Sequence, residues 1–222
     1  MPKSARTAKE VESVKQEILT NALNLIITEG YDKLSMRKIA GQMGITAATI
    51  YNYFKSKEEI NLWIRVKGFE IMDAMLSKNQ DGSKTIEENM RSLLKAYFTF
   101  GTSYPEYYDI MFNLRTPKVA DYIGTGLEEI AVTKLQKIGR KTFGYFLNLV
   151  TEVYKESGKM TEEYIRFRTV QLWANIHGVV TLFNSRQIAE LIKNPKKFVD
   201  ARIEAEIREL LGDPQRTGAR VK

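Results

Sequence analysis

Residues Leu34 to Ile60 most constrain what this chain can become, because they read as two short helices around a tight turn with a third helix start directly behind. Ser35 stands where a helix cap belongs, ahead of Met36, Ile39, Ala40 and Met43 at helical spacing. Gly44 and Ile45 make the turn. Thr46 caps the next helix, expected to run to about Tyr53. Ser56, with Glu59 three residues on, starts another through a capping box. The helix after Thr46 carries alanine, threonine, tyrosine and asparagine where a buried helix would carry aliphatics.

The rest of the 222-residue chain reads as helical nearly throughout, with no competing strand pattern. Val14, Ile18, Ala22, Leu25 and Ile26 give a first helix stopping near Gly30. The Ser56 helix continues through Trp63, Val66, Ile71 and Met75 to a polar loop, 77–84. Thr85 and Glu88 open a helix to about Ser103, and Pro105 starts a short aromatic one to Phe112. After an irregular stretch from Thr116 to Gly126, a long helix is expected from Leu127 to about Glu156, ended by Gly158. Thr161 caps another to about Arg186, and Pro195 opens the last, to Leu211. The fold class is all-α with about nine helices: a three-helix helix-turn-helix head and a helical bundle. The domains are drawn at 1–60 (with an arm at 1–13), 61–211 and a disordered tail at 212–222.

Composition removes several chemistries. There is no cysteine, so disulfides, zinc thiolates and thiol nucleophiles are excluded, and the lone histidine cannot build an all-histidine metal site. No metal and no cofactor are expected. The basic, polar N-terminus does not read as a secretory signal, and no apolar run is long enough to span a bilayer, so a cytoplasmic protein without a membrane partner is expected. The net charge is +7, and the first 67 residues hold 11 Lys/Arg against 7 Asp/Glu. That excess favours an anionic partner for the head.

The chemistry of Thr46 to Lys57 suits double-stranded DNA. Ile50 and Phe54 are four apart and face inward, which leaves Ala47, Ala48, Thr49, Tyr51 and Asn52 mostly outward. Alanine and threonine methyls can touch thymine methyls, and asparagine can hydrogen-bond adenine. Tyr51 and Tyr53 can reach phosphates through their hydroxyls, and Lys57 adds a phosphate-directed charge. A plain three-helix packing unit explains Ile39, Ala40, Ile45, Ile50 and Phe54, but not an outward run of alanines and tyrosines. Lys3, Arg6 and Lys9 could reach a minor groove, although a solvated terminus is the simpler reading of them.

Residues 14–64 resemble the helix-turn-helix head of TetR family transcriptional regulators. The matching pieces are Ile18-Leu19-Thr20-Asn21-Ala22-Leu23, Glu29-Gly30-Tyr31-Asp32, Ser35-Met36-Arg37-Lys38-Ile39-Ala40, Gly44-Ile45-Thr46, and Ile50 through Ile60. The resemblance implies that the Thr46–Tyr53 helix enters the major groove. It places Ser35, Arg37, Thr46, Ala47, Thr49, Tyr51, Asn52, Tyr53 and Lys57 at the DNA. Asn52 departs mildly from the family, where many relatives have histidine.

The helix from Thr161 to Arg186 is apolar or small on nearly every side, which predicts burial all round. A two-fold homodimer is expected from this helix and the last one, paired with their copies in a four-helix bundle. The candidate interface is Leu172, Ala174, Gly178, Thr181, Ser185, Val199, Ile203, Ile207 and Leu210. Two recognition helices about one DNA turn apart, roughly 34 Å or a multiple, would suit a palindromic operator. The middle of the body is rich in aromatics and methionine, more often core than pocket residue by residue. Together Tyr97, Tyr107, Tyr108, Met111, Phe112, Phe143, Trp173 and His177 are the candidate wall for an apolar or aromatic effector.

The function expected from the residues and the resemblance together is a ligand-responsive DNA-binding transcriptional regulator, a repressor released from its operator by effector. The Ser56–Leu76 helix, shared by head and body, would swing. The rival is a helical small-molecule or lipid-binding module without DNA binding. An enzyme stands last, because no acid, base or nucleophile motif is present.

Overall fold

The computed structural model describes residues 7–78, 82–155 and 160–213. Among them every regular element is helical. The chain divides into two compact units, 1–70 with 106–138, and 71–105 with 139–222. The first unit is thus larger than a head cut at residue 60.

In the first unit, α1 (Ala8–Glu29) is capped by Thr7, whose hydroxyl accepts from Glu10 N while the Glu10 carboxylate accepts from Thr7 N at 2.7 Å. It ends at Gly30, whose φ of +90° is readily available only to glycine. Ile18, Leu19, Ala22, Leu23, Leu25 and Ile26 are buried along one side, each large aliphatic contributing about 1.5–3 kcal/mol. The short α2 (Met36–Gln42) is capped by Ser35 and buries Met36, Ile39 and Ala40. Gly44, at φ +66°, lets Ile45 N return to the Ala40 carbonyl at 3.0 Å and redirects the chain. Thr46 caps α3 (Ala47–Tyr51). This helix ends two residues earlier than expected, and Asn52 and Tyr53 sit in the following turn, where Tyr53 N and Phe54 N both reach the Ile50 carbonyl.

The helix α4 (Lys57–Ser77) starts with Ser56 accepting from Glu59 N at 3.2 Å. The return bond goes to Lys55 N at 2.7 Å instead of Ser56 N, so the expected capping box is displaced by one residue. Residues 106–138 belong to the same unit because Tyr122, Ala131 and Leu135 share a buried cluster with Leu62 and Val66 of α4. In this stretch α6 (Pro105–Tyr108) runs on as a widened turn at Asp109–Asn113. Then α7 (Glu128–Ile130) passes through a second widened stretch, Ala131–Gln136, into α8 (Lys137–Tyr154). The stop expected at Gly158 lies outside the described residues.

In the second unit, α5 (Ile86–Ser103) is opened by the Thr85–Glu88 capping box and packs on α9 (Glu162–Asn184) and α11 (Pro195–Leu211). Thr161 caps α9, and Asn194 caps α11 ahead of Pro195. A short helix, α10 (Gln187–Leu191), was not expected; it restarts after Arg186, held at φ +63°. At the far end of α11, Tyr154 and Tyr164 both donate to the Asp213 carboxylate, at 2.5 and 3.0 Å, with Arg168 3.6 Å away. This clasp fastens the end of α11 to α8 and α9. Burial and the bond to Asp213 push both tyrosine hydroxyls up. Residues 214–222, most of the expected disordered tail, lie outside the described residues.

The face of α9 needs a correction. Leu172, Val199, Ile203, Ile207 and Leu210, assigned to a partner on sequence alone, are buried within the chain itself. Leu172 lies on the same side of α9 as Ile176, Val179 and Val180, the side turned into the core with α5 and α11. Within the single chain one side of α9 is open. Phe167, Val170 and Leu182 are exposed, Phe167 by 63%. Ala174 and Ser185 are also exposed, and Gly178 and Thr181 are half-buried.

Candidate nucleic-acid interface

The helix α3 is amphipathic across its width. Ile50 is fully buried, Phe54 behind it nearly so, and α3 packs on α2. On the other side Tyr51 is 57% exposed, and Ala48 and Asn52 are exposed with it. Ala47 and Thr49 are half-buried, and Thr46 is exposed, as is Arg37 on α2.

Two hydroxyls expected at DNA are already engaged. Ser35 Oγ accepts from Lys38 N, and Thr46 Oγ1 accepts from Thr49 N, each at 3.3 Å. Thr46 and Thr49 also share a hydroxyl–hydroxyl bond of 3.0 Å. Ser35 Oγ keeps its O–H donor, and the Thr46–Thr49 pair keeps one O–H between them, so capping does not end their capacity to meet a phosphate.

Tyr53 is half-buried rather than splayed outward. With Phe54 it borders a cleft of about 280 Å³ between α1 and α4, floored by Leu19, Trp63 and Val66 and rimmed by Lys15, Lys67, Glu12 and Glu59. Rim charges of both signs give the cleft no preference for anions.

Two lysines of the head have different fates. Lys38 is paired with Glu29 at 2.5 Å, both partly exposed, and holds that carboxyl below its usual range. Lys57 makes no such pair among the described residues. Its ammonium lies 4.9 Å from the centre of the Tyr31 ring. The Tyr31 hydroxyl is buried without a hydrogen-bond partner, and that burial, with Glu58 nearby, pushes its pKa up. The sequence carries Tyr31 only within the matched Glu29-Gly30-Tyr31-Asp32 stretch and gives it no role of its own.

Deeper along α4 lies a buried polar group of the same unit. Asn61 Nδ2 donates to Tyr122 OH at 2.7 Å, and Arg65 Nη1 donates to the Pro117 carbonyl at 2.6 Å. Asn61 Oδ1 and Arg65 Nε have no partner, and burial lowers the Arg65 pKa. Spacing could not reveal these residues, because their partners are 61 and 52 positions away.

The candidate effector residues fall in both units. In the first, Tyr108 and Met111 are buried, Tyr107 and Phe112 half-buried, and Tyr108 stacks edge-on with Phe112 at 5.1 Å. In the second, the Trp173 indole donates to the buried Tyr97 hydroxyl at 2.9 Å, and the His177 ring lies 5.7 Å from Trp173. Phe143, Trp173 and His177 are half-buried, and burial lowers the His177 pKa.

The family model described as bacterial regulatory proteins, tetR family, matches residues 18–62, and the tetracyclin repressor-like C-terminal domain matches 90–205, just over half of the chain. The chain belongs to the TetR family. An HTH-type transcriptional regulator of Haemophilus influenzae is 33% identical over 85 residues, 38% of this chain and 46% of that protein. The chain spans about half the length of the curated relatives it matches. Among solved TetR-like structures, a tetR-family regulatory protein from Rhodococcus RHA1 aligns with a TM-score of 0.66 at 15% identity, over 88% of this chain and 96% of that one. The regulator FadR from Bacillus subtilis, solved with stearoyl-CoA, aligns at 0.61 and 18% identity, over 92% and 99%. At such identities these likenesses speak for the TetR fold alone. No helix among the described residues is long and apolar enough to cross a membrane.

Proposed function

We propose that this TetR-family chain is a ligand-responsive DNA-binding transcriptional regulator, and that it represses until an effector releases it. The observation that carries the reading is Tyr51, 57% exposed beside Asn52 at the end of a helix whose opposite face is locked into the head. The head, residues 1–60, is the DNA-binding part. Arg37, Ala47, Thr49, Tyr51 and Asn52 meet the groove, while Ser35, Thr46, Tyr53 and Lys57 meet the backbone. Lys9 is exposed at the start of α1, but Lys3 and Arg6 lie outside the described residues and take no part in this reading.

A homodimer on a palindromic operator completes it. Phe167, Val170, Ala174, Gly178, Thr181 and Ser185 follow one another along α9 at three- and four-residue steps, which sets them on one face. The exposure of Phe167, Val170, Ala174 and Ser185 among them supports a partner helix there. The effector is small and apolar or aromatic, and FadR with its acyl thioester is a precedent for apolar cargo in this fold. Tyr97, Phe143, Trp173 and His177 in the second unit, and Tyr107, Tyr108, Met111 and Phe112 in the first, are the side chains assigned to it.

The test is retardation of genomic DNA fragments by the purified protein across a salt series. A regulator loses affinity steeply as salt rises, and Tyr51→Ala weakens it at every salt. Passage of all fragments at low salt favours the rival module that binds small molecules without DNA.

A further inference from the structure

We propose that Tyr31 is a positioning residue for DNA binding, its ring seating the Lys57 ammonium for a backbone phosphate. The inference rests on the DNA reading above and adds a residue to it that makes no groove contact of its own. The observation is the contrast between two lysines of one head. Lys38 is neutralised by Glu29 at 2.5 Å, whereas Lys57 lies 4.9 Å above the Tyr31 ring and pairs with no carboxylate among the described residues.

A ring face holds a cation without cancelling its charge, because the attraction is to a quadrupole rather than to a counter-ion. A seated ammonium therefore keeps its full charge for an external anion. A lysine that must be ordered on binding loses considerable rotamer freedom, and one ordered beforehand has less left to lose. The backbone explains why the ring is available. Gly30, at φ +90°, turns the chain out of α1, and Leu34 N returns to the Tyr31 carbonyl at 3.0 Å, which fixes the aromatic in a short turn. Lys57 opens α4 directly after the Ser56 cap. The hydroxyl of Tyr31 is buried without a hydrogen-bond partner, so the ring, and not the oxygen, is the working part.

The test uses the full chain and a fluorescent mixed-sequence duplex, since phosphate contacts do not depend on sequence, titrated from roughly 50 to 200 mM salt. Lys57→Ala should lower affinity and flatten the salt slope by about 0.9. Tyr31→Leu should weaken binding about 3- to 10-fold, Tyr31→Phe should restore it, and Tyr31→Leu should add nothing in the Lys57→Ala background. Proton NMR reads the seat without DNA: the Lys57 ε-methylene should be shifted upfield by the ring, and Tyr31→Leu should abolish that shift. An equal loss from Tyr31→Leu in both backgrounds, or an unshifted methylene in the parent protein, overturns the inference alone. A parent protein that ignores the duplex at low salt, with the methylene still shifted, overturns the DNA reading and this role with it.

Discussion

Asn61 on α4 and Tyr122, 61 residues later, share a hydrogen bond of 2.7 Å in which the amide donates to the phenol oxygen, and both side chains are buried. The bond ties the helix that leaves the head to the segment following Thr116. Tyr122→Phe leaves the Asn61 amide dry and unpaired, a loss of about 1–3 kcal/mol. Denaturant unfolding should show it, and Asn61→Ala combined with Tyr122→Phe should cost less than the two single changes added together. Simple additivity would mean the pair is not coupled.

Gly68 sits against Met111, and a Cβ there would collide with the Met111 sulfur and crowd Tyr107 at 3.2 Å. Gly68→Val should destabilise by about 1–3 kcal/mol through overpacking. Adding Met111→Ala should recover part of it in thermal melts. An unchanged melting temperature for Gly68→Val would argue against this close approach of α4.

His177 gives the fold a dependence on pH. Burial lowers its pKa in the folded protein below the ordinary value, so the unfolded chain binds the proton more readily. Stability is then full above about pH 6.5 and falls as pH drops from there through the folded pKa. His177→Gln should flatten that part of a stability–pH curve. A slope that persists in the variant assigns it to other groups.

The exposed stripe of α9 makes a prediction about assembly. Phe167→Glu with Val170→Glu should convert a dimer to a monomer in sedimentation while leaving helicity unchanged, because both side chains stand clear of the core. A variant that stays dimeric would move the interface elsewhere.

Local chemistry made much of this molecule legible from sequence. Ser35, Thr46, Thr85 and Thr161 cap the helices they were expected to cap, because a cap is decided within four residues. Ile50 and Phe54 turn inward as their spacing demands. The failures are of longer range or lack a marker. Spacing alone showed α9 to be apolar on two sides but not which side meets α5 and α11, so Leu172 was given to a partner when it belongs to the core. The restart at α10 was missed because the left-handed residue before it is Arg186 rather than glycine or asparagine. Neither the seat of Lys57 on Tyr31 nor the bond from Arg65 to Pro117 leaves a periodic trace.

The clasp at Asp213 sets a boundary for anyone trimming the C-terminus. A protein shortened to stop after Asp213 retains the carboxylate that Tyr154 and Tyr164 hold. Stopping one residue sooner removes the carboxylate that both phenols donate to and that lies beside Arg168. A ladder of such deletions, followed by protease resistance, should break at that single step rather than decline gradually.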